Sequence, residues 1–242
     1  MKLCAAQLRP VKGDIGKNIE KHMQAICAAA GEGVSLIVFP ELSLTGYEPG
    51  LANDLATDQN DSRLNVFQQV SNDKNISIGV GLPTRSGADV RISMIIFQPH
   101  LPRLTYSKQQ LHSDEFPFFV NGPRQVIFSQ DTINVAPAIC FESLQPSHAE
   151  NAKRIGADIY LASVAKSASG VVRAYKHYPE IAARLGMVVA MANCVGECDN
   201  FVGDGRSAIW DAKGALAAQL DNTSEGLVIY DIANEQATQV TL

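Results

Sequence analysis

The chain has 242 residues, 46% of them hydrophobic and 19% charged, with a formal net charge of −5. That length is enough to bury a full core as one domain over 1–242, and an acidic balance without a local Lys/Arg run offers nucleic acid no footprint. The amino terminus lacks a signal peptide's basic-then-apolar layout, no apolar run can span a bilayer, and five irregularly spaced cysteines argue against a disulfide framework, so a reducing, cytoplasmic compartment is expected.

In chain order, residues 2–8 alternate as a strand does. Residues 14–30 place Ile15, Ile19, Met23 and Ile26 at helical spacing, with Gly31 and Gly33 closing the helix. The unbroken apolar run 34–39, stopped by Pro40, predicts a strand buried on both faces. Asp61 or Ser62 can cap a second helix carrying Leu64, Phe67 and Val70. Strands are predicted at 76–82, 90–97 and 101–106, with a turn at Ser86-Gly87 between the first two.

An aromatic-rich loop, DEFPFFVNGPR, follows, then strands at 125–128 and 133–139. A helix at 144–155, a strand at 158–162, a helix at 172–185 that Pro179 is expected to divide, and a strand at 187–193 complete the middle. The tail from Arg206 reads as a β-meander, with turns at Lys213-Gly214 and near Glu225-Gly226. Helices alternate with strands, yet several strand pairs are joined by loops too short for a crossover. This mixed α/β pattern predicts helices outside partly antiparallel sheets.

Three residues at the ends of apolar runs carry chemistry. Glu41 sits in VFPELSLTGY, Lys108 in LTYSKQQLH and Cys140 in VAPAICFES. A carboxylate, an ammonium and a thiol are what acyl transfer through sulfur needs: a proton acceptor, a stabiliser of developing negative charge, and a nucleophile. Taken singly, each has a blander reading, as a loop acid, a surface lysine and a small buried hydrophobe. Together with their flanks, from AAQLRP to GDGRSAIWDAKG, they resemble the nitrilase, or carbon–nitrogen hydrolase, superfamily.

The resemblance implies a nitrilase-like four-layer αββα sandwich and a hydrolase acting on a small amide without metal or organic cofactor. Glu41 would be the general base, Lys108 the oxyanion stabiliser, Cys140 the nucleophile, and the Phe141 backbone N–H a second oxyanion donor. Glu115 is the candidate second glutamate, with Asp114 as competitor. Tyr47, Phe116 and Lys166 are candidate substrate contacts, Lys166 for a carboxylate-bearing substrate. Arg184 would pair with Glu142 behind the site, and Asn193, Gly196 and residues 203–207 would supply turns and hydrogen bonds near it. Pro137 stands where the family commonly has glycine, three residues before the cysteine.

The resemblance leaves nitrile hydrolysis, carbamoyl hydrolysis and acyl transfer open. The lipoprotein acyltransferase branch carries membrane helices and the NAD synthetase branch a fused synthetase domain, neither of which is expected here. A homodimer is expected, with a small-molecule amide or nitrile as the partner and neither membrane nor nucleic acid involved. Rival readings are a Cys–His dyad using His112, His148 or His177, a zinc site at Cys194 and Cys198, and a catalytically silent binding module on the same scaffold.

Overall fold

Each inner strand of the chain bears apolar side chains on both faces, and that pattern dictates layers. The computed structural model describes residues 1–242. Strand β1 (Lys2–Gln7) leads to helix α1 (Ile15–Gly31), β2 (Leu36–Val38), and helices α2 (Ala52–Leu55) and α3 (Asn65–Lys74). Three strands follow, β3 (Ser77–Ser86), β4 (Asp89–Phe97) and β5 (Leu104–Ser107). After the aromatic loop come β6 (Phe128–Gln130), β7 (Ile133–Ile139), α4 (Pro146–Arg154), β8 (Ile159–Ser163), α5 (Ala168–Leu185) and β9 (Val188–Ala192). A hairpin of β10 (Val195–Cys198) and β11 (Phe201–Asp204) precedes β12 (Ala208–Trp210), β13 (Leu216–Gln219), β14 (Gly226–Asp231) and β15 (Gln236–Thr241).

Two large sheets result, ordered β15-β14-β1-β2-β3-β4-β5 and β13-β12-β9-β8-β7-β6. Pairing is parallel where helices cross over, in β1–β2–β3 and β7–β8–β9. It is antiparallel where only a short connection exists, in β3–β4–β5 and β6–β7. Strand alternation then sorts the side chains. Leu3, Ala5, Leu36 and Val38 meet Val135, Ile139, Ile159 and Leu161 in a core between the two sheets. Their neighbours Cys4, Ala6, Ile37 and Phe39 pack with Ile26 of α1 and Phe67 of α3. On the far side Ala136, Ala138, Tyr160 and Ala162 pack with Ala149 of α4 and Tyr178 of α5. Three cores between four layers make the αββα sandwich, and no helix is long and apolar enough to cross a membrane.

Several elements differ from expectation for identifiable reasons. Helix α5 starts four residues early and runs unbroken through Pro179. Its buried face, with Ala174 and Tyr178 before the proline and Ile181 and Ala182 after it, anchors both halves to one sheet. The strand expected at 125–128 forms instead at Phe128–Gln130. Gln125 is occupied elsewhere: its side chain donates to the His148 carbonyl and accepts from Asn151 of α4. The tail is no simple meander. Strands β12 and β13 extend the six-stranded sheet, whereas β14 and β15 cross to pair beside β1.

Candidate active site

The three sequence signatures end on neighbouring strand tips. Beyond β2, Glu41 donates its backbone N–H to the Val164 carbonyl in the opposite sheet, and Leu42 turns the chain with φ of 52°. This turn lies against Gly81, where a Cβ would stand 2.6 Å from Leu42 N and Pro40 O. Lys108 prolongs β5 by donating its N–H to Ile92 O, and Gly122 packs onto it so closely that a Cβ would meet Ser107 O at 2.1 Å. Cys140 follows β7 with φ of 46°, a left-handed conformation that costs a side-chain-bearing residue about 1–2 kcal/mol. Its N–H donates to Ser163 O of β8, and a short 3-10 turn at Glu142–Leu144 leads into α4. The strained turn lifts the thiol off the sheet, and the Phe141 N–H beside it donates to no protein group.

The side chains converge into a closed charge network. Lys108, fully buried, donates to Glu41 Oε1 at 2.8 Å and to Glu115 Oε1 at 2.6 Å. Glu115 Oε1 also accepts from Tyr47 OH at 2.9 Å, and its Oε2 accepts the His112 N–H at 2.7 Å. Glu41 Oε1 is thus fixed, while its Oε2 is buried with no hydrogen-bond partner. Cys140 Sγ lies 3.7 Å from the Ala165 carbonyl and 3.8 Å from Lys166 Nζ.

Electrostatics follow from this burial. Desolvation raises the Glu41 pKa, with Lys108 pulling the other way. Desolvation, then the Glu41 charge, pushes the Cys140 thiol up to about 11, while Lys166 and Lys108 draw it down. Burial works against charge on Lys108, but Glu41, Cys140 and Glu115 outweigh it and hold the ammonium. At neutral pH the site therefore holds a protonated lysine and a thiol, beside a carboxyl group whose proton affinity burial has raised.

A cleft of about 730 Å³ opens onto Cys140, lined by Tyr47, His112, Phe141, Lys166, Arg173 and Phe201 among others. Glu115, rather than Asp114, reaches Lys108; Asp114 is exposed and holds His112 at 2.6 Å. Phe116 does not line this cleft. It is 58% exposed and borders a separate groove with Phe118, because the chain turns at Glu115 to bury that carboxylate and leaves the next side chain outside. Arg184 does not reach Glu142 either: from the outer face of α5 it pairs at 2.7 Å with Glu150, while Glu142 is wholly buried. His148 binds Tyr160 and Tyr106, no imidazole hydrogen-bonds to Cys140, and burial lowers the His148 pKa to about 4. Cys194 and Cys198 approach to 3.4 Å, but no group of three or more metal-ligating side chains exists.

Asn193 makes the hydrogen bonds near the site that the sequence leads one to expect, clamping Lys166 by accepting its N–H and donating to its carbonyl. Other residues escape a sequence reading. Arg173 carried no signal beyond its charge. Gly81 and Gly122 did carry one, since a glycine inside or beside a strand marks close backbone approach.

The chain is 27% identical to a glutamine-dependent NAD(+) synthetase of Thermotoga maritima, in a match that covers all of this chain and 44% of that protein. It is 27% identical to an aliphatic nitrilase of Rhodococcus rhodochrous over 39% of this chain and 30% of that protein. The chain thus spans less than half the length of these curated relatives. Its fold superposes with a TM-score of 0.89 on a mutant of the amidase from Nesterenkonia sp. AN1 in complex with butyramide, at 22% identity, covering 97% of this chain and 92% of that one. The family model for carbon-nitrogen hydrolases matches residues 2–241, and the chain belongs to that family.

Proposed function

We propose that this protein hydrolyses the C–N bond of a small linear amide through a thioester on Cys140. One observation carries the reading. Glu41 has one oxygen clamped by Lys108 and the other buried and unpartnered in a site shared with the thiol, which is the arrangement of a base that keeps one acceptor free. Glu41 takes the thiol proton as Sγ attacks the carbonyl carbon. Lys108 Nζ and the Phe141 N–H hold the oxyanion. Glu41 then protonates the departing nitrogen, ammonia leaves, and a water deprotonated by the same carboxylate cleaves the thioester to the acid.

Amide is favoured over nitrile because the likeness to a glutamine-dependent synthetase runs over the whole chain, whereas that to an aliphatic nitrilase covers 39% of it. The test is ammonia release from a panel of simple amides, ω-amides, carbamoyl compounds and nitriles, with Cys140→Ala alongside. Release confined to the amides and absent from the variant supports the reading. Release only from nitriles, or release that survives Cys140→Ala, overturns it.

A narrower reading, an amide that also bears a carboxylate, is favoured by Lys166. This ammonium is 5% exposed, has no carboxylate partner and lies 3.4 Å from Cys140 O. Arg173, also without an ion pair, lines the same cleft. Glutamine turned over in preference to butyramide, with the preference lost in Lys166→Met, is the expected result. Equal turnover in the wild type would exclude this narrower reading.

A further inference from the structure

The residue expected to sit behind the site as scaffolding has a different set of partners. Glu142 is wholly buried, and no lysine or arginine lies within ion-pair distance of it. Backbone N–H groups and a phenol meet its oxygens instead, His148 Nε2 stands 3.7 Å from Oε2, and burial outweighs these bonds and raises the Glu142 pKa to about 7. Its Oε1 accepts the Ile139 N–H at 2.7 Å and the Tyr106 hydroxyl at 2.6 Å. Its Oε2 accepts the Gln109 N–H at 2.6 Å and the Gln110 N–H at 3.3 Å. Ile139 immediately precedes Cys140, and Gln109 immediately follows Lys108. One carboxylate therefore grips the residue before the nucleophile and the residue after the oxyanion lysine.

Those two points belong to different sheets. Lys108 continues β5, the edge of the seven-stranded sheet, and Cys140 continues β7 of the six-stranded one. Backbone ladders fix positions within a sheet, but no ladder joins one sheet to the other. Glu41 N–H to Val164 O and Ser163 Oγ to Phe39 O tie the end of β2 to β8, but at the β5 and β7 ends apolar packing is non-directional and sets the separation only loosely.

We propose that Glu142 is a positioning residue that sets the distance between the Lys108 ammonium and the Cys140 thiol by bridging the two strand ends. The requirement is for two acceptor oxygens. In a glutamine the NH2 would face N–H donors on one side or the other, and that half of the bridge would open. Tyr106, fully buried on β5, adds a third tether from the lysine's own strand. The Tyr106 hydroxyl also meets His148 Nε2 at 3.0 Å, so the bridge is braced from α4.

The inference rests on the reading of Cys140 and Lys108 as the reacting pair, and the test separates the two. Turnover of an accepted amide and the rate of Cys140 alkylation by iodoacetamide are compared in the wild type, Glu142→Gln and Tyr106→Phe, together with thermal unfolding. The expected result for Glu142→Gln is a fall in kcat of about 100-fold, the scale of a misplacement of about 1 Å, with KM within about threefold. Cys140 alkylation should slow alongside it. A merely structural carboxylate would lower the unfolding temperature without splitting kcat from KM. Should Glu142→Gln fail to fold, Tyr106→Phe, which removes one tether and keeps the ring, should still lower kcat about three- to tenfold at unchanged KM. Wild-type kcat in either variant, once folded, overturns the proposal and leaves the functional reading standing. A wild-type protein that turns over no amide and alkylates Cys140 no faster than the exposed Cys27 overturns both.

Discussion

Two buried lysines flank the reactive thiol, and they are held in opposite ways. Lys108, from the seven-stranded sheet, is locked between two carboxylates at 2.6 and 2.8 Å. Lys166, beyond β8 of the six-stranded sheet, has no carboxylate within reach and touches Cys140 only at 3.4 and 3.8 Å. In the proposed mechanism the first is aimed before substrate arrives and needs no reorganisation when an oxyanion forms. The second is a charge still seeking an anion. One sheet thus supplies a closed proton-and-charge network, and the other supplies the open, substrate-facing groups.

The harshest test of this division is loss of the nucleophile. Cys140→Ala should reduce amide hydrolysis by on the order of 10⁴-fold or more, as for nucleophiles acting within a concerted set, while the fold persists. Lys108→Met comes next. Removing one oxyanion donor costs about 10²–10³ in kcat, and it leaves Glu41 and Glu115 buried together without their cation. Breaking a buried pair of this kind costs about 3–5 kcal/mol, so the melting temperature should fall as well. Lys166→Met should show no comparable loss of stability, and a similar melting drop in both variants would erase the contrast between the lysines.

A smaller effect separates the neighbouring acids. Glu115→Gln can keep the Tyr47 and Lys108 contacts through one oxygen, but it removes the charge opposite the ammonium and turns its NH2 toward the His112 N–H, and kcat should fall about 100-fold, the scale of a misplaced catalytic group. Asp114→Asn only frees the exposed His112 and should leave kcat within about twofold, as surface changes do. Equal losses would mean that the loop, rather than the carboxylate, matters.

The pH profile probes the same network. As the proposed base Glu41 works only when ionised, and desolvation raises its pKa against the opposing pull of Lys108. As pH falls through that raised value the base is lost, so the acid limb of kcat/KM should lie above the ordinary glutamate value of about 4.3. The thiol, pushed up to about 11, adds no limb near neutrality. A limb below the ordinary value, or thiolate absorbance at pH 7, would mean that sulfur enters the reaction already ionised.

Much of this was legible in the chain because the fold is built from local repeats of simple rules. The run 34–39 is continuous because Leu36 and Val38 face one core while Ile37 and Phe39 face another. The three strand-end signatures single out Glu41, Lys108 and Cys140 because each stands where an apolar run must stop, and the fold brings those strand ends together. What stayed hidden depended on distance through space. Nothing near Phe116 shows that Glu115 turns inward and takes the loop with it. Nothing in ICFE shows that Glu142 meets the backbone after Lys108, some thirty residues earlier in the chain. Pro179 misled because helix packing on both sides outweighs one lost hydrogen bond.

Another small expected effect is the one that discriminates best between the two lysines. Lys166 draws the Cys140 thiol pKa down, against the larger upward push of burial and Glu41. Lys166→Met removes that pull, so the thiol should titrate above about 11, readable as a shift of the thiolate absorbance or of the pH dependence of alkylation. Turnover of a neutral amide should change only about threefold, because the proton passes to Glu41 as sulfur attacks and no free thiolate need accumulate. A large loss on butyramide would place Lys166 among the groups that bear charge in the reaction itself. An unmoved thiol titration would mean that its ammonium is screened from sulfur, and then only an anionic substrate would feel it.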